Sequence, residues 1–402
     1  MNLEDISELR GPEGASILLF VLDGLGGLPR EPGGPTELEA ARTPHLDELA
    51  AAGSIGLQWP VGPGITPGSG PGHLSLFGYD PLRYRIGRGI LEALGVEFDL
   101  RPGDIAARGN LCTVDAGGTV SDRRAGRIAA EPAAAACAAL DGIEVPGARV
   151  FVQPVKEHRF LLVVRMEEPA EASLDDTDPG QVGLPPRPVE AANEASEPVA
   201  RVVREWLRQV PDALGGHDPA NMVLLRGFST QPDWPSFPAV TGLRSLAVAA
   251  YPMYRGVARL VGMDAITVPE GPSHLVDALR SNAADRDFVF LHIKAMDRFG
   301  EDGNFDAKVG AIEEADAIVP ELLGAFSGVH VVTGDHSTPA VMRSHSWHPV
   351  PFLVHGGPGR SEAPGASFGE RACAGGAVGW IPGRELLTLA MSRAGRLGKF
   401  GA

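Results

Sequence analysis

Two kinds of hydrophobic pattern organise this chain. The runs at Ser16 to Leu22, Ser245 to Ala250, Asp287 to Ile293, Val329 to Val332 and Pro351 to Val354 are short and nearly continuous. That is the pattern of strands buried on both faces of a parallel sheet. Between them, apolar residues recur at helical spacing in Thr43 to Ala52, Met253 to Val261, Ser273 to Ser281, Phe305 to Leu323 and Glu385 to Ala394. Strand–helix alternation predicts an α/β fold, with a mostly parallel sheet sandwiched by helices. The middle of the chain breaks the alternation. After a helical stretch at Gly87 to Leu94, strand-like runs at Val96 to Leu100, Ala106 to Val114, Arg149 to Gln153 and Arg159 to Val164 surround an Ala-rich amphipathic helix near Pro132 to Leu140. Glu167 to Pro198, rich in Pro, Glu, Ala and Asp, reads as a long surface loop. A helix at Val199 to Val210 and a strand at Met222 to Leu225, ending in Arg226-Gly227, follow. The expected organisation is a core made of residues 1–82 and 239–402, interrupted by an inserted α+β domain over 83–238. Residues 1 to 14 read as a mobile lead-in.

Composition narrows the function classes. A chain of 402 residues with 44% apolar and 21% charged residues is an ordinary globular chain, large enough for two or three domains. Its net charge of −16 argues against nucleic acid or an anionic membrane as partner. An anionic substrate would need its positive groups gathered locally. Cys112, Cys137 and Cys373 are widely spaced and suggest neither a disulfide framework nor a zinc cluster. The acidic first residues lack an apolar core, and the run Ile17 to Leu22 is too short to span a bilayer. The expectation is a cytoplasmic protein.

Candidate chemistry falls at strand ends. In Ile65-Thr-Pro-Gly-Ser69-Gly-Pro-Gly-His73-Leu-Ser-Leu-Phe-Gly-Tyr-Asp80 a serine sits among glycines and prolines just before helical apolar spacing. That predicts a tight loop opening a helix, where free N–H groups and the helix dipole favour a phosphate or a serine oxyanion. Ser69 would also serve there as a plain N-cap. The first strand ends in Asp23-Gly24. The strand ending near Ile293 is followed by Lys294, Asp297, Glu301 and Asp302. The strand ending at Val332 leads to Asp335-His336, with His345 beyond. In an open α/β sheet these all lie on the carboxyl edge, where ligands bind. So many carboxylates would repel one another without a cation, and carboxylate with imidazole suits Zn²⁺, Mn²⁺ or Mg²⁺. In the middle region Ser121-Asp122-Arg123-Arg124-Ala-Gly-Arg127 gathers cations, with Arg159 and Arg226 further on. Arginine forks bind carboxylate and phosphate bidentately. His73, His158 and Lys294 are weaker candidates, His73 as a pin for the glycine loop and Lys294 as an ion-pair partner of Asp297.

These motifs carry a resemblance. Val21-Leu-Asp-Gly-Leu-Gly-Gly27, the Ser69 loop, Asp122-Arg-Arg-Ala-Gly-Arg127, Thr333-Gly-Asp-His-Ser-Thr-Pro339, His345-Ser-Trp-His-Pro-Val-Pro351 and Arg396-Leu-Gly-Lys-Phe-Gly-Ala402 occur in one order. Over nearly its whole length the chain resembles the cofactor-independent phosphoglycerate mutases of archaeal type, in the alkaline phosphatase superfamily. The resemblance implies an alkaline phosphatase-like core with an inserted substrate-binding lid. It implies interconversion of 3-phosphoglycerate and 2-phosphoglycerate through a phosphoserine on Ser69. One of two divalent ions would be held at Asp23, Ser69, Asp335 and His336, the other at Asp297, Glu301 and His345. Asp122 would act as general acid or base, and Arg123, Arg124, Arg127, Arg159, Arg226 and Lys294 would contact substrate. At Glu301 the family more often has histidine. A carboxylate there would shift preference from Zn²⁺ toward Mn²⁺ or Mg²⁺, unless Asp302 fills the position. The alternative is a metal-dependent phosphatase or other phosphoryl transferase on the same fold, such as a small-alcohol kinase. A metal-binding protein without catalysis fits poorly with the presence of Ser69 beside every ligand position.

Overall fold

The uninterrupted apolar segment Ile-Leu-Leu-Phe-Val-Leu becomes β1 (Ile17–Leu22), and every one of its residues is buried. The computed structural model describes residues 3–11, 13–168, 170–359, 361–362 and 365–401. In chain order the further strands are β2 (Ser54–Trp59), β3 (Ile105–Val114), β4 (Val120–Asp122), β5 (Ala148–Lys156), β6 (Arg159–Met166), β7 (Met222–Thr230), β8 (Ser245–Ala249), β9 (Asp264–Thr267), β10 (Phe288–Ile293), β11 (Val329–Thr333), β12 (Val350–His355) and β13 (Gly379–Pro382). The chain divides into two compact units, Met1–Arg85 with Trp234–Ala402, and Ile86–Asp233.

The first unit is an α/β layer structure around an eight-stranded sheet of order β13-β2-β12-β11-β1-β10-β8-β9. β1 pairs in parallel with β10 and β11, and β10 with β8. β12 is antiparallel to both of its neighbours. A parallel partner would require a crossover of a dozen or more residues, usually through a helix. The segment from Gly334 to Pro349 instead returns without a helix, so it stays at the carboxyl edge of β11. Register aligns the three central strand ends: Leu22 lies beside Ile293, and Val21 beside Thr333. Whatever follows these strands therefore emerges in one place.

The second unit is built on an antiparallel sheet of order β4-β3-β6-β5, with β7 also paired to β3. Leu111, Phe160, Leu162 and Val223 pack in its core with Cys137 and Leu140 of the helix Ala130–Asp141 and Val203 and Trp206 of the helix Glu197–Ala213. Gly109 is required there, because a Cβ would lie 2.1 Å from the Phe160 ring. Polar side chains alternate with these core positions. Asn110 sits opposite Arg159, and Arg108 opposite Arg226. Period-two alternation thus gathers cations on one face.

Several expectations fail for local reasons. Val96 to Leu100 is no strand. Val96 and Phe98 donate back to Glu92 and Ala93 of the helix Arg88–Gly95, and Glu97 has φ 54°. The chain is closing a helix C-terminus, where one left-handed residue is usual. Residues 3–11 are no mobile lead-in. Leu3 and Ile6 of the helix Leu3–Glu8 are buried, and Gly11 donates to Arg396 O while Gly398 donates to Leu9 O. The predicted helix Phe305 to Leu323 is two, Phe305–Ala317 and Val319–Ala325. Pro320 has no N–H to continue the first. The stretch from Glu167 to Pro198 is not wholly surface, since Thr177 and Asp178 are buried and Thr177 exchanges hydrogen bonds with Leu225 of β7. The short edge strands β9 and β13, and β2 with its Ser, Gly and Gln, carry too few apolar residues to announce themselves. No described helix is long and apolar enough to cross a membrane.

The chain ends of the first unit meet an ion cluster with a readable pH dependence. Asp287 accepts from Arg244 N at 3.0 Å, Arg244 Nε at 2.8 Å and Arg396 Nη2 at 2.8 Å. Burial pushes its pKa up, but the Arg244 and Arg396 bonds outweigh that and hold it at about 2. A lowered carboxylate pKa contributes stability above the unfolded value near 4, lost as pH falls toward 2. Arg244 is open to solvent, so the contribution is about 1–2 kcal/mol rather than the full shift. Asp287→Asn should lower the unfolding free energy by that amount at pH 7, by clearly less at about pH 2.5 and by almost none at about pH 1, measured in urea at each pH.

Candidate active site

Three strand ends build the first cluster. Asp23 follows β1, Asp297 lies one turn past the end of β10, and Asp335 and His336 follow β11; all four are buried. Asp23, Asp335 and His336 offer ligand atoms within 4.8 Å of one another, and so do Asp297, His336 and His345, making His336 common to both groups. The His336 and His345 rings stack at 3.7 Å. Glu301 stands outside these groups, half-exposed, with Oε1 3.7 Å from His345 Nε2. Asp302 caps the same short helix, Ala295–Glu301.

Ser69 is the first residue of the helix Ser69–Leu76, with Gly68 at the N-cap. It is therefore not the cap. Its hydroxyl lies 3.2 Å from His336 Nε2, among the unpaired N–H groups of the first turn. His73 Nδ1 donates to Ser69 O at 2.8 Å and lies 3.2 Å from Asp335 Oδ2, pinning the loop to β11. Gly72 is required because a Cβ would lie 2.4 Å from Asp335 O.

Hydrogen bonds set the imidazoles. The Thr338 hydroxyl donates to Asp297 Oδ1 at 2.7 Å, since a carboxylate only accepts, and so accepts from His336 Nδ1 at 3.0 Å. His336 Nε2 is then the lone pair facing Ser69. His345 Nδ1 donates to Pro67 O at 3.0 Å, leaving Nε2 3.3 Å from Asp297 Oδ1. This is how metal-ligating histidines are oriented.

The electrostatics call for a cation. Burial works to raise the pKa of Asp23, but Lys294, His292 and His336 hold it well below the usual carboxylate range. Burial likewise disfavours a charged His345, yet Asp297 raises it to about 9. Lys294 Nζ reaches Asp297 Oδ2 at 2.5 Å, Asp23 Oδ2 at 3.2 Å and the Tyr254 hydroxyl at 2.7 Å. Asp23 Oδ1 and Asp335 Oδ2 are nevertheless buried without a hydrogen-bond donor. Orphaned carboxylate oxygens beside oriented imidazoles fit a divalent ion.

The second unit carries a cleft of about 370 Å³ lined by Arg108, Asn110, Arg123, Arg124, Arg127, Lys156, Glu157, His158, Arg159 and Arg226. The arginines named from sequence come together here, though not equivalently. Arg123 is locked to Asp178 by bonds of 3.0 and 2.7 Å, and Arg226 lies 3.5 Å from the same carboxylate. Asp122 does not line the cleft. Its two oxygens accept from Arg124 N and Gly126 N and shape the turn that carries Arg124 and Arg127. His158 is buried, and burial with Arg159 and Arg124 lowers its pKa.

Sequence reasoning missed His292, Tyr254 and Thr338 at the strand ends and Arg108, Asn110 and Lys156 in the cleft. His292 Nε2 lies 3.1 Å from Asp23 Oδ2, and a lone histidine in an apolar strand was a usable signal. Arg108 and Asn110 alternate with core residues in β3, another. Tyr254 had none.

The chain as a whole is similar to known proteins. A family model described as 2,3-bisphosphoglycerate-independent phosphoglycerate mutase matches residues 50–220. A Thermus thermophilus protein called a probable 2,3-bisphosphoglycerate-independent phosphoglycerate mutase is 46% identical, covering 99% of this chain and 98% of its own. One so named from Aquifex aeolicus is also 46% identical, covering all of both chains. The solved structure of the cofactor-independent phosphoglycerate mutase from Thermoplasma acidophilum superposes with a TM-score of 0.72 at 30% identity, over 94% of this chain and 100% of that one. A solved Pyrococcus horikoshii protein superposes with a TM-score of 0.81 at 31% identity, over 97% of this chain and 100% of its own. With near-complete coverage at this identity, the chain belongs to the 2,3-bisphosphoglycerate-independent phosphoglycerate mutase family.

Proposed function

We propose that the chain interconverts 3-phosphoglycerate and 2-phosphoglycerate through a phosphoserine on Ser69. The observation that carries this is the Ser69 hydroxyl at a helix N-terminus, 3.2 Å from the unprotonated nitrogen of His336. Asp23, Ser69, Asp335 and His336 would hold one divalent ion, and Asp297, His345 and Glu301 a second. When bound, such ions lower the serine pKa and neutralise the phosphoryl oxygens. Ser69 Oγ, its proton given up to solvent beforehand, attacks phosphorus, and the bond to the glycerate oxygen breaks. That oxygen takes the proton of the glycerate's other hydroxyl, which then attacks the phosphoserine, and Ser69 Oγ leaves; Asp122 acts by shaping the turn that carries Arg124 and Arg127. Arg124, Arg127, Arg159 and Arg226 hold the glycerate carboxylate and phosphate. Arg123, tied to Asp178, orients the cleft wall. Lys294 offsets the negative charge of Asp23 and Asp297 and meets the phosphate. The second unit serves as the substrate-binding domain through its own cationic cleft. An acidic chain rich in such local cation clusters suits a small anionic substrate in the cytoplasm rather than nucleic acid or membrane.

Ser69→Ala should lower turnover by at least about a thousandfold while leaving the fold intact. The measurement is an enolase-coupled assay on 3-phosphoglycerate without 2,3-bisphosphoglycerate, with free phosphate followed in parallel. Full activity in this variant sinks the mechanism, and free phosphate as the main wild-type product favours the phosphatase.

Arg127→Ala should raise KM and the ratio of hydrolysis to transfer, since losing one charged contact to a bound anion costs about 2–5 kcal/mol. An unchanged KM would remove Arg127 from the substrate contacts.

Glu301 is assigned to the second ion in place of the usual histidine. It lies four residues after Asp297 and on the same helix face. Its pKa is raised by burial and by Asp297, a repulsion that a cation would relieve. The harder carboxylate favours Mn²⁺ or Mg²⁺ over Zn²⁺. Glu301→Gln should weaken one Mn²⁺ site with the other unchanged, read by metal titration. If Asp302→Asn loses that ion and Glu301→Gln does not, Asp302 is the ligand.

A further inference from the structure

Lys308, on the helix Phe305–Ala317, is wholly buried. Its Nζ donates to Gly26 O at 3.0 Å and to Thr338 O at 2.8 Å, and lies 3.9 Å from Glu37 Oε1. Glu37, also fully buried, accepts from Leu28 N at 3.0 Å and Ala340 N at 2.7 Å. One buried pair of opposite charge therefore grips two backbone segments by two bonds each. Gly26 and Leu28 belong to the loop that starts at Asp23. Thr338 and Ala340 belong to the loop that starts at Asp335 and His336.

The same two loops are stitched directly, for Thr338 N donates to Gly26 O at 3.0 Å. Neither group of the pair reaches Ser69 or an orphaned carboxylate oxygen. Their effect passes through Thr338, whose hydroxyl touches one ligand from each end of the cluster, Asp297 and His336. A buried ion pair is a poor device for stability, because apolar residues of the same volume serve as well or better. It is a good device for holding two carbonyls at fixed positions, since a misplaced carbonyl leaves a buried charge unsatisfied.

We propose that Lys308 is a positioning residue of the metal centre: with Glu37 it locks the loops after β1 and β11 in the register where the Thr338 hydroxyl spans Asp297 and His336. The inference rests on the reading of this cluster as a site for divalent ions.

The test titrates Mn²⁺ into wild type, Lys308→Met, Thr338→Val and the double variant, following free Mn²⁺ by electron paramagnetic resonance. Thermal unfolding without metal and the split of kcat from KM are measured beside it. Each single variant should bind Mn²⁺ about 10- to 100-fold more weakly, the usual range for groups that orient metal ligands. The double variant should be little worse than the weaker single, because both act on one link. The KM for 3-phosphoglycerate should hold while kcat falls. Unchanged Mn²⁺ affinity in folded Lys308→Met, or fully additive losses, overturns the inference while leaving the metal reading intact. Wild type that binds no Mn²⁺ overturns the metal reading, and the inference with it. If Lys308→Met does not fold, Lys308→Gln, which keeps N–H donors but sits one atom short, should show a smaller loss in the same direction; no loss again overturns it.

Discussion

Three carboxylates taken out of water at the ends of adjacent strands are the constraint on which this structure turns. Asp23, Asp297 and Asp335 are each buried to within about one per cent, and uncompensated charge in such a place is untenable. Register brings them together, because parallel strands side by side end side by side. Lys294, the oriented histidines and the pinned glycine loop all answer that concentration of negative charge. The fold and the chemistry are thus one problem: a sheet whose central strand ends coincide makes a strongly negative pocket, and a divalent cation is the compact solution.

The antiparallel return of β12 completes this. A crossover after β11 would have carried His345 to the far end of the next strand. The direct return keeps Asp335, His336 and His345 in a single loop over the sheet edge, and the stacked rings of His336 and His345 are its result. In the second unit the same economy works through period two. Arg108, Asn110, Arg159 and Arg226 share a face because their neighbours in sequence face the core.

The sequence was most legible where burial is total. β1, β8, β10 and β11 read directly from unbroken apolar runs, and their ends pointed to Asp23, Asp297, Asp335 and His336. Legibility dropped where structure depends on a single backbone turn, as at Glu97, or on contact with a distant segment, as for Leu3 and Ile6. Within the candidate site, spacing could name Arg123 but not show that Asp178, 55 residues on, occupies its fork. It could name Asp122 but not show that its oxygens are engaged in shaping a turn. Lys308 was invisible as part of the site because its bonds run to backbone carbonyls, which leave no trace in side-chain pattern, and Thr338 because one of its hydroxyl's partners lies 41 residues away.

The division of the chain has a consequence for its birth on the ribosome. β1 is made early, but both of its sheet neighbours lie beyond residue 287, in β10 and β11. The intervening unit, Ile86–Asp233, is continuous and holds all the strands of its own sheet. During vectorial synthesis it can close while β1 still waits with both backbone edges unpaired and its apolar faces uncovered. Unpaired strand edges in a nascent chain invite pairing with other chains. The order of synthesis therefore leaves the strand that leads to Asp23 unpaired throughout the making of the intervening unit, and β2, whose partners β12 and β13 come later still, for longer; it makes this enzyme a natural client of whatever shields emerging hydrophobic segments.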